Sequence, residues 1–275
     1  MTTPSYRYSL RLLIPFLCAL GGRRSSLSAD TALLLQGAHP SPRVLTPENI
    51  PPHSPFVLTI NHYDRPGLGA WWAIAVLVTT IAAQRMREPR EIHFAMAREW
   101  WYPRGFGKWV KQPLTRWCFG QIGKAYGTIR LPPALDSGEF RGQGTLAIRG
   151  ALALTRQENP ELVGIAPEGE TGAGLGLRKP PPGAGLFLLL LTYDHIPILP
   201  AGIFEDDANT LTIRFGAPFD LCVPRALSRD ERDADAARQV MVAIGRLLPE
   251  RMWGAYREEI RNAKTTQDHE NRERE

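Results

Sequence analysis

Cysteine is scarce. The 275-residue chain has 3, at Cys18, Cys118 and Cys222, with no C-x-x-C pair. That excludes a disulfide framework, suits a reducing compartment, and leaves three small residues expected in the core. No G-x-S-x-G elbow occurs, so a serine hydrolase of the α/β type is not supported. His53, His62, His93 and His195 fall at no metal-ligand spacing. No Pro/Gly/Ser-rich linker divides the chain and no internal repeat marks it, which points to one large domain with short terminal extensions. Runs of Lys and Arg interleaved with aromatics are missing too, so nucleic acid ranks last among the anionic partners that a net charge of +5 favours. Acidic lipid and phosphate-bearing small molecules remain.

The apolar runs are short. Residues 12–20 are apolar and flanked by Arg7, Arg11, Arg23 and Arg24. A bilayer crossing takes about 20 apolar residues, so this segment is too short to span. It reads equally as an interfacial helix with basic ends at lipid headgroups and as an ordinary core helix. It fits a cleaved signal less well, because no small-x-small site follows. Residues 68–83 are uncharged and approach spanning length, but they follow a strand and a polar turn, which favours a helix buried on a sheet.

Apolar β-type runs at 56–60, 92–97, 126–131, 162–166, 196–203 and 211–215 alternate with helical patterns at 68–83, 105–120, 145–157 and 183–193. Residues 40–55 are Pro-rich and read as irregular. Ser228 and Glu231 form a capping box for a helix that stops at Pro249. The expectation is an α/β domain with a mixed, largely parallel sheet flanked by helices over residues 41–260, preceded by a membrane-facing or amphipathic segment 1–40. Residues 261–275 are polar and charged and are expected to form a disordered tail.

Three strand-end segments carry candidate chemistry. In Thr59-Ile60-Asn61-His62-Tyr63-Asp64-Arg65-Pro66-Gly67 a strand delivers Asn61 and His62 to a turn. A histidine there can serve as a general base near neutral pH, with Asp64 two residues on to hold the imidazole in its useful tautomer. Taken alone, His-x-Asp more readily describes a helix-capping histidine and a surface aspartate. In Ile165-Ala166-Pro167-Glu168-Gly169-Glu170-Thr171-Gly172 a second strand end leads through glycines to Arg178 and Lys179, a flexible loop or an anion-binding one. Ile196-Pro197-Ile198-Leu199-Pro200 alone says only that a strand begins or lies at an edge.

The order of these segments is more specific than any one of them. Asn61-His62, then Gly127…Arg130, then Pro167-Glu168-Gly169, then Ile196-Pro197-Ile198 resembles the four-block pattern of the glycerol-phosphate and lysophosphatidate acyltransferase family over roughly residues 43–215. Pro47-Glu48-Asn49-Ile50-Pro51 looks like that family's lead-in, and Lys179 with Gly183-Ala184 resembles its Lys-x-Gly-Ala segment. The resemblance implies a single α/β domain attached to the cytoplasmic face of a membrane. It implies transfer of an acyl group from acyl-CoA or acyl carrier protein to an acceptor hydroxyl, with a lysophosphatidate-like glycerolipid precursor as acceptor. It places His62 as the base, puts Asn61, Arg65, Arg130, Glu168, Gly169, Arg178 and Lys179 around the acceptor, and implies that no metal or bound cofactor is needed; Asp64 is the carboxylate left to orient His62. Two positions depart from the family pattern. Asn-His-x-x-x-x-Asp has Gly67 in place of its aspartate, and the Glu-Gly-Thr-Arg block reads Glu168-Gly169-Glu170-Thr171. These departures motivate a second reading, a catalytically impaired lipid-binding relative. A third has His62 activating water to hydrolyse a thioester.

Overall fold

A computed structural model describes residues 4–102, 104–131, 143–169 and 176–274, without the side chains of 143–147 and 266–274. Nine strands are assigned among them: β1 (Ser5–Tyr6), β2 (Ala38–His39), β3 (Arg43–Leu45), β4 (Val57–Ile60), β5 (Ile92–Ala97), β6 (Ile129–Leu131), β7 (Leu162–Ile165), β8 (Ile198–Glu205) and β9 (Leu211–Phe215). The α-helices are α1 (Leu13–Leu20), α2 (Leu27–Leu35), α3 (Ala70–Gln84), α4 (Gln112–Tyr126), α5 (Gln143–Thr155), α6 (Ala184–Leu191), α7 (Arg229–Leu247) and α8 (Arg257–Arg274).

Seven strands form one sheet in the order β3-β9-β8-β4-β7-β5-β6. The five from β8 to β6 run parallel, while β9 pairs antiparallel with β8 and parallel with β3. The sheet is thus mixed and largely parallel, as the alternation of strand and helix patterns implied. Every residue of β4, β7 and β8 is buried. Strands covered on both faces by crossover helices need apolar residues at consecutive positions, which is why these segments lack period-2 alternation. One helix group, α2 with α3, and another, α5 with α6 and α7, flank the sheet. Gly185 sets the α6–α7 crossing, since a Cβ there would meet the Asp233 carbonyl oxygen at 2.0 Å. Asp233 also accepts from the Gly183 and Leu186 amides at 2.6 and 2.9 Å, capping α6 from a neighbouring helix.

Helix α3 is the buried helix expected at 68–83, with Trp72, Ala75, Val76, Leu77 and Ile81 all at most 2% exposed. Among the described residues no helix is long and apolar enough to cross a membrane. Arg85 ends α3 inside the protein at 1% exposure. Its guanidinium donates to the carbonyls of Ser54 and His53 at 2.9 and 3.1 Å and to that of Pro51, and it lies over the Phe56 ring. The Pro-rich approach to β4 is therefore fastened by one cation.

Four expectations change. Residues 40–55 include β3, a sheet edge too short to show a pattern amid prolines. The π-helical turn Gly107–Lys111 and α4 run on to Tyr126, so the strand expected from 126 begins only at Ile129. The expected tail is helical, as α8 extends over Arg257–Arg274. Acidic Glu258 and Glu259 in its first turn and the buried Ile260 anchor it, and polar composition alone does not oppose a helix. The cysteines are not core residues, for Cys18 and Cys118 are half-buried and Cys222 is exposed.

Replacing Arg85 by Met leaves three main-chain carbonyls without their donor and is expected to cost on the order of 3 kcal/mol. Urea denaturation checks this; a change below about 0.5 kcal/mol refutes the fastening role.

Candidate functional site

The carboxyl ends of β4 and β7 lie side by side in the sheet, and each releases a turn. Ligand sites in parallel α/β sheets collect at such ends. The turn after β4 carries Asn61-His62-Tyr63-Asp64-Arg65, and the turn after β7 carries Pro167-Glu168-Gly169.

Asn61 is 2% exposed. Its side-chain amide donates to the Ile203 carbonyl at 2.9 Å and accepts from the Ile203 amide at 2.7 Å. The carboxamide thereby imitates one more peptide unit of the β4–β8 ladder. His62 is partly buried, and its main-chain N–H donates to Glu168 Oε2 at 2.7 Å. The other oxygen, Oε1, accepts from the Arg178 main-chain N–H at 2.8 Å. Glu168 is 6% exposed. Burial pushes its carboxyl above the usual range, and the two amides and the Arg178 charge offset only part of that. Gly169, at φ +76, closes the turn with its amide on the Ala166 carbonyl at 3.1 Å. Tyr256 is buried, and its phenol is pushed up to about 12, by burial first and then by the charges of Glu259 and Glu168.

Beyond His62, Tyr63 is buried and its hydroxyl donates to Glu205 Oε2 at 2.7 Å. Arg65 Nε donates to the same oxygen at 2.6 Å, and Arg65 Nη2 pairs with Oε1. Burial, followed by the hydrogen bond from its hydroxyl to Glu205, raises the Tyr63 phenol above its ordinary value. The Glu205 hydrogen bond likewise raises Arg65. Arg65-Pro66-Gly67-Leu68 closes a tight turn through reciprocal main-chain bonds between Arg65 and Leu68 at 3.1 and 2.9 Å. Pro66 at its second position and Gly67 at its third, with φ +84, give it type II character. Glycine at position 67 suits this turn, which asks for positive φ.

Several expected site residues are engaged inside the protein. The polar groups of Asn61, Arg65 and Glu168 bind Ile203, Glu205 and two main-chain amides respectively, so these side chains build the site's frame. The expected His62–Asp64 pair is not formed. Asp64 is exposed and makes no hydrogen bond or ion pair among the described residues. A carboxylate two residues along this turn stays in water, while both neighbours are drawn to Glu205. Arg130 is exposed on β6, three strands from β4, roughly 14 Å away at the usual strand spacing. Its side chain lies along α4 near Gly120 and Gly123. Lys179 is exposed, whereas Arg178 is partly buried. Glu170 and Thr171 of the third block lie outside the described residues. Sequence reading missed Glu205, Tyr63 and Tyr256, and the acid in β8 carried no local signal. Among the described residues no cluster of His, Cys, Asp and Glu is placed to hold a metal.

No family model matches the chain, and no curated protein sequence matches it. Among solved structures it is similar to the crystal structure of the 1-acyl-sn-glycerophosphate (LPA) acyltransferase, PlsC, from Thermotoga maritima. The identity is 12%, 86% of this chain and 81% of that chain are covered, and the TM-score is 0.43. A likeness that distant carries nothing about the chemistry of the site.

Glu168→Ala removes the acceptor of two amides and is expected to cost on the order of 3 kcal/mol. The native carboxyl is raised above its unfolded value, so the native state binds the proton more tightly. The wild-type advantage is therefore full below the ordinary glutamate pKa of about 4.3 and declines as pH rises through the native value. Denaturant melts of both proteins between about pH 4 and 8 measure the difference; an advantage that grows with pH contradicts the assigned shift.

Proposed function

We propose that this chain is an O-acyltransferase in which His62 accepts the proton of an acceptor hydroxyl while that oxygen attacks the thioester of an acyl-CoA or acyl carrier protein. The observation that carries the reading is the bond from His62 N–H to Glu168 at 2.7 Å. It brings together, at neighbouring strand ends, the first and third of the four ordered blocks that resemble the glycerolipid acyltransferases. His62 then needs only reach of the hydroxyl, at about 2.6–3.2 Å. The proton passes to the imidazole, the tetrahedral oxyanion collapses, and the thiol leaves with the proton from His62. Main-chain amides near the turn supply donors to the oxyanion. Lys179 is an exposed cation for an acceptor phosphate, whereas Arg65 is already neutralised by Glu205 and Arg130 lies three strands from β4. A glycerolipid precursor such as lysophosphatidate is the acceptor we favour.

We assign the protein to the cytoplasmic face of a membrane, held by a lipid-facing surface. Helix α1 packs on α4, yet Leu10, Leu13, Ile14, Phe16 and Leu17 are all more than half exposed. Phe106, Trp109, Leu114 and Trp117 on the neighbouring turn and helix are also more than half exposed. Arg11, Arg23, Arg24, Lys108 and Lys111 are exposed on the same segments. Apolar side chains with Trp and a basic rim suit an anionic bilayer surface, and an ordinary core helix would not leave its apolar side uncovered.

Asp64, unpaired in solvent, favours one other reading, a lipid-binding relative with impaired catalysis. His62→Ala separates the two. Transfer from acyl-CoA to lysophosphatidate is expected to fall by about 10²–10⁴, with Asp64→Asn unchanged within about threefold because Asp64 is exposed and makes no hydrogen bond or ion pair among the described residues. Wild-type protein that binds vesicles but yields no His62-dependent ester supports the binding relative, and release of free fatty acid without ester identifies a thioesterase. Replacing Leu17, Trp109 and Leu114 together by Ser is expected to weaken binding to vesicles containing anionic lipid at least about tenfold in flotation; unchanged flotation removes the surface from the proposal.

A further inference from the structure

Strand β8 ends at Glu205, a carboxylate only 7% exposed. Three donors converge on it from the turn that carries His62: the Tyr63 hydroxyl, Arg65 Nε and Arg65 Nη2. On the other side of His62, Asn61 is paired with Ile203, two residues earlier on the same strand. His62 itself is tied by its main-chain N–H to Glu168. Of residues 61–65, Asp64 alone has no tether among those described.

We propose that Glu205 is a positioning residue for His62, fixing through Tyr63 and Arg65 the turn that carries the imidazole. The inference rests on His62 being the proton acceptor, and it is indifferent to which hydroxyl is acylated. A carboxylate suits the task because its two oxygens accept all three donors, and the fork with Arg65 fixes direction as well as distance. Its burial shields the contact from salt. The main chain at Glu205 is held separately, since its carbonyl accepts from Arg251 Nη2 at 2.7 Å and its strand pairs with β9. Changing the side chain therefore loosens the turn and leaves the strand in place. Displacement of a reacting group by about 1 Å can cost about 10²-fold in rate.

The test uses Glu205→Gln and Tyr63→Phe in the full chain, with two readouts. In the first, histidine ring signals are followed by NMR with labelled histidine, and His62 is assigned from its absence in His62→Ala. Both variants are expected to shift or broaden the His62 ring signals. The His93 ring, bonded to the Gly127 carbonyl at 2.8 Å, should not change. In the second, Glu205→Gln lowers kcat for acyl transfer by about 10–100-fold with KM for the thioester within about twofold, and adds no further loss in the His62→Ala background. Unaltered His62 signals in both variants overturn the proposal, as does a loss that persists in full on His62→Ala. If wild-type protein transfers no acyl group, the functional reading falls, and the NMR comparison still decides the role of Glu205. If Glu205→Gln does not fold, Tyr63→Phe, which removes one hydroxyl, decides it.

Discussion

The site depends on one buried carboxylate, Glu168, with a main-chain amide on each oxygen. Two amides from different loops offer only donors, so what joins them must accept twice, and a carboxylate does so with a separate oxygen for each. Because Glu168 is almost wholly withdrawn from water, losing either amide would leave an uncompensated buried oxygen, and the two loops stay in register. Asn61, matched to a peptide unit of β8, performs the same service one residue before His62. His62 is thereby held by its main chain between two fixed neighbours.

Much of the architecture was legible because the sheet is covered on both faces. Burial of β4, β7 and β8 forces consecutive apolar residues, and those runs stand out between Gly- and Pro-rich turns. Strand β3 left no such trace, since three edge residues need no apolar run, and α8 was hidden by a composition that suits a solvated helix as well as a coil. Within the candidate site, the order of the blocks singled out His62 and Glu168, which the fold joins by one main-chain hydrogen bond. Glu205 was not, because its contacts with Tyr63 and Arg65 span 142 and 140 residues and no local pattern announces them. The partner of Arg65 was hidden for the same reason. A cation read along the chain looks available for a phosphate, while in three dimensions a carboxylate from another strand already answers its charge.

The same distinction separates Asp64 from the residues around it. Sequence proximity suggested that the nearest acid would serve the histidine, yet Tyr63 and Arg65 turn toward Glu205 and leave Asp64 in water. The apolar segment at 12–20 shows the complementary effect. It packs on α4 by one side only, and the apolar side chains that both helices turn outward have no cover among the described residues.

The turn at Arg65-Pro66-Gly67-Leu68 bears on how such a site changes over generations. An L-residue at position 67 inherits a left-handed backbone that disfavours a side chain by roughly 1–2 kcal/mol. Pro66 keeps the turn from relaxing. An aspartate introduced there alone meets this obstacle before it meets the imidazole. A carboxylate at this spacing from His62 is thus costlier to install by one replacement alone than with a second that alters the turn, and the present arrangement resists single steps.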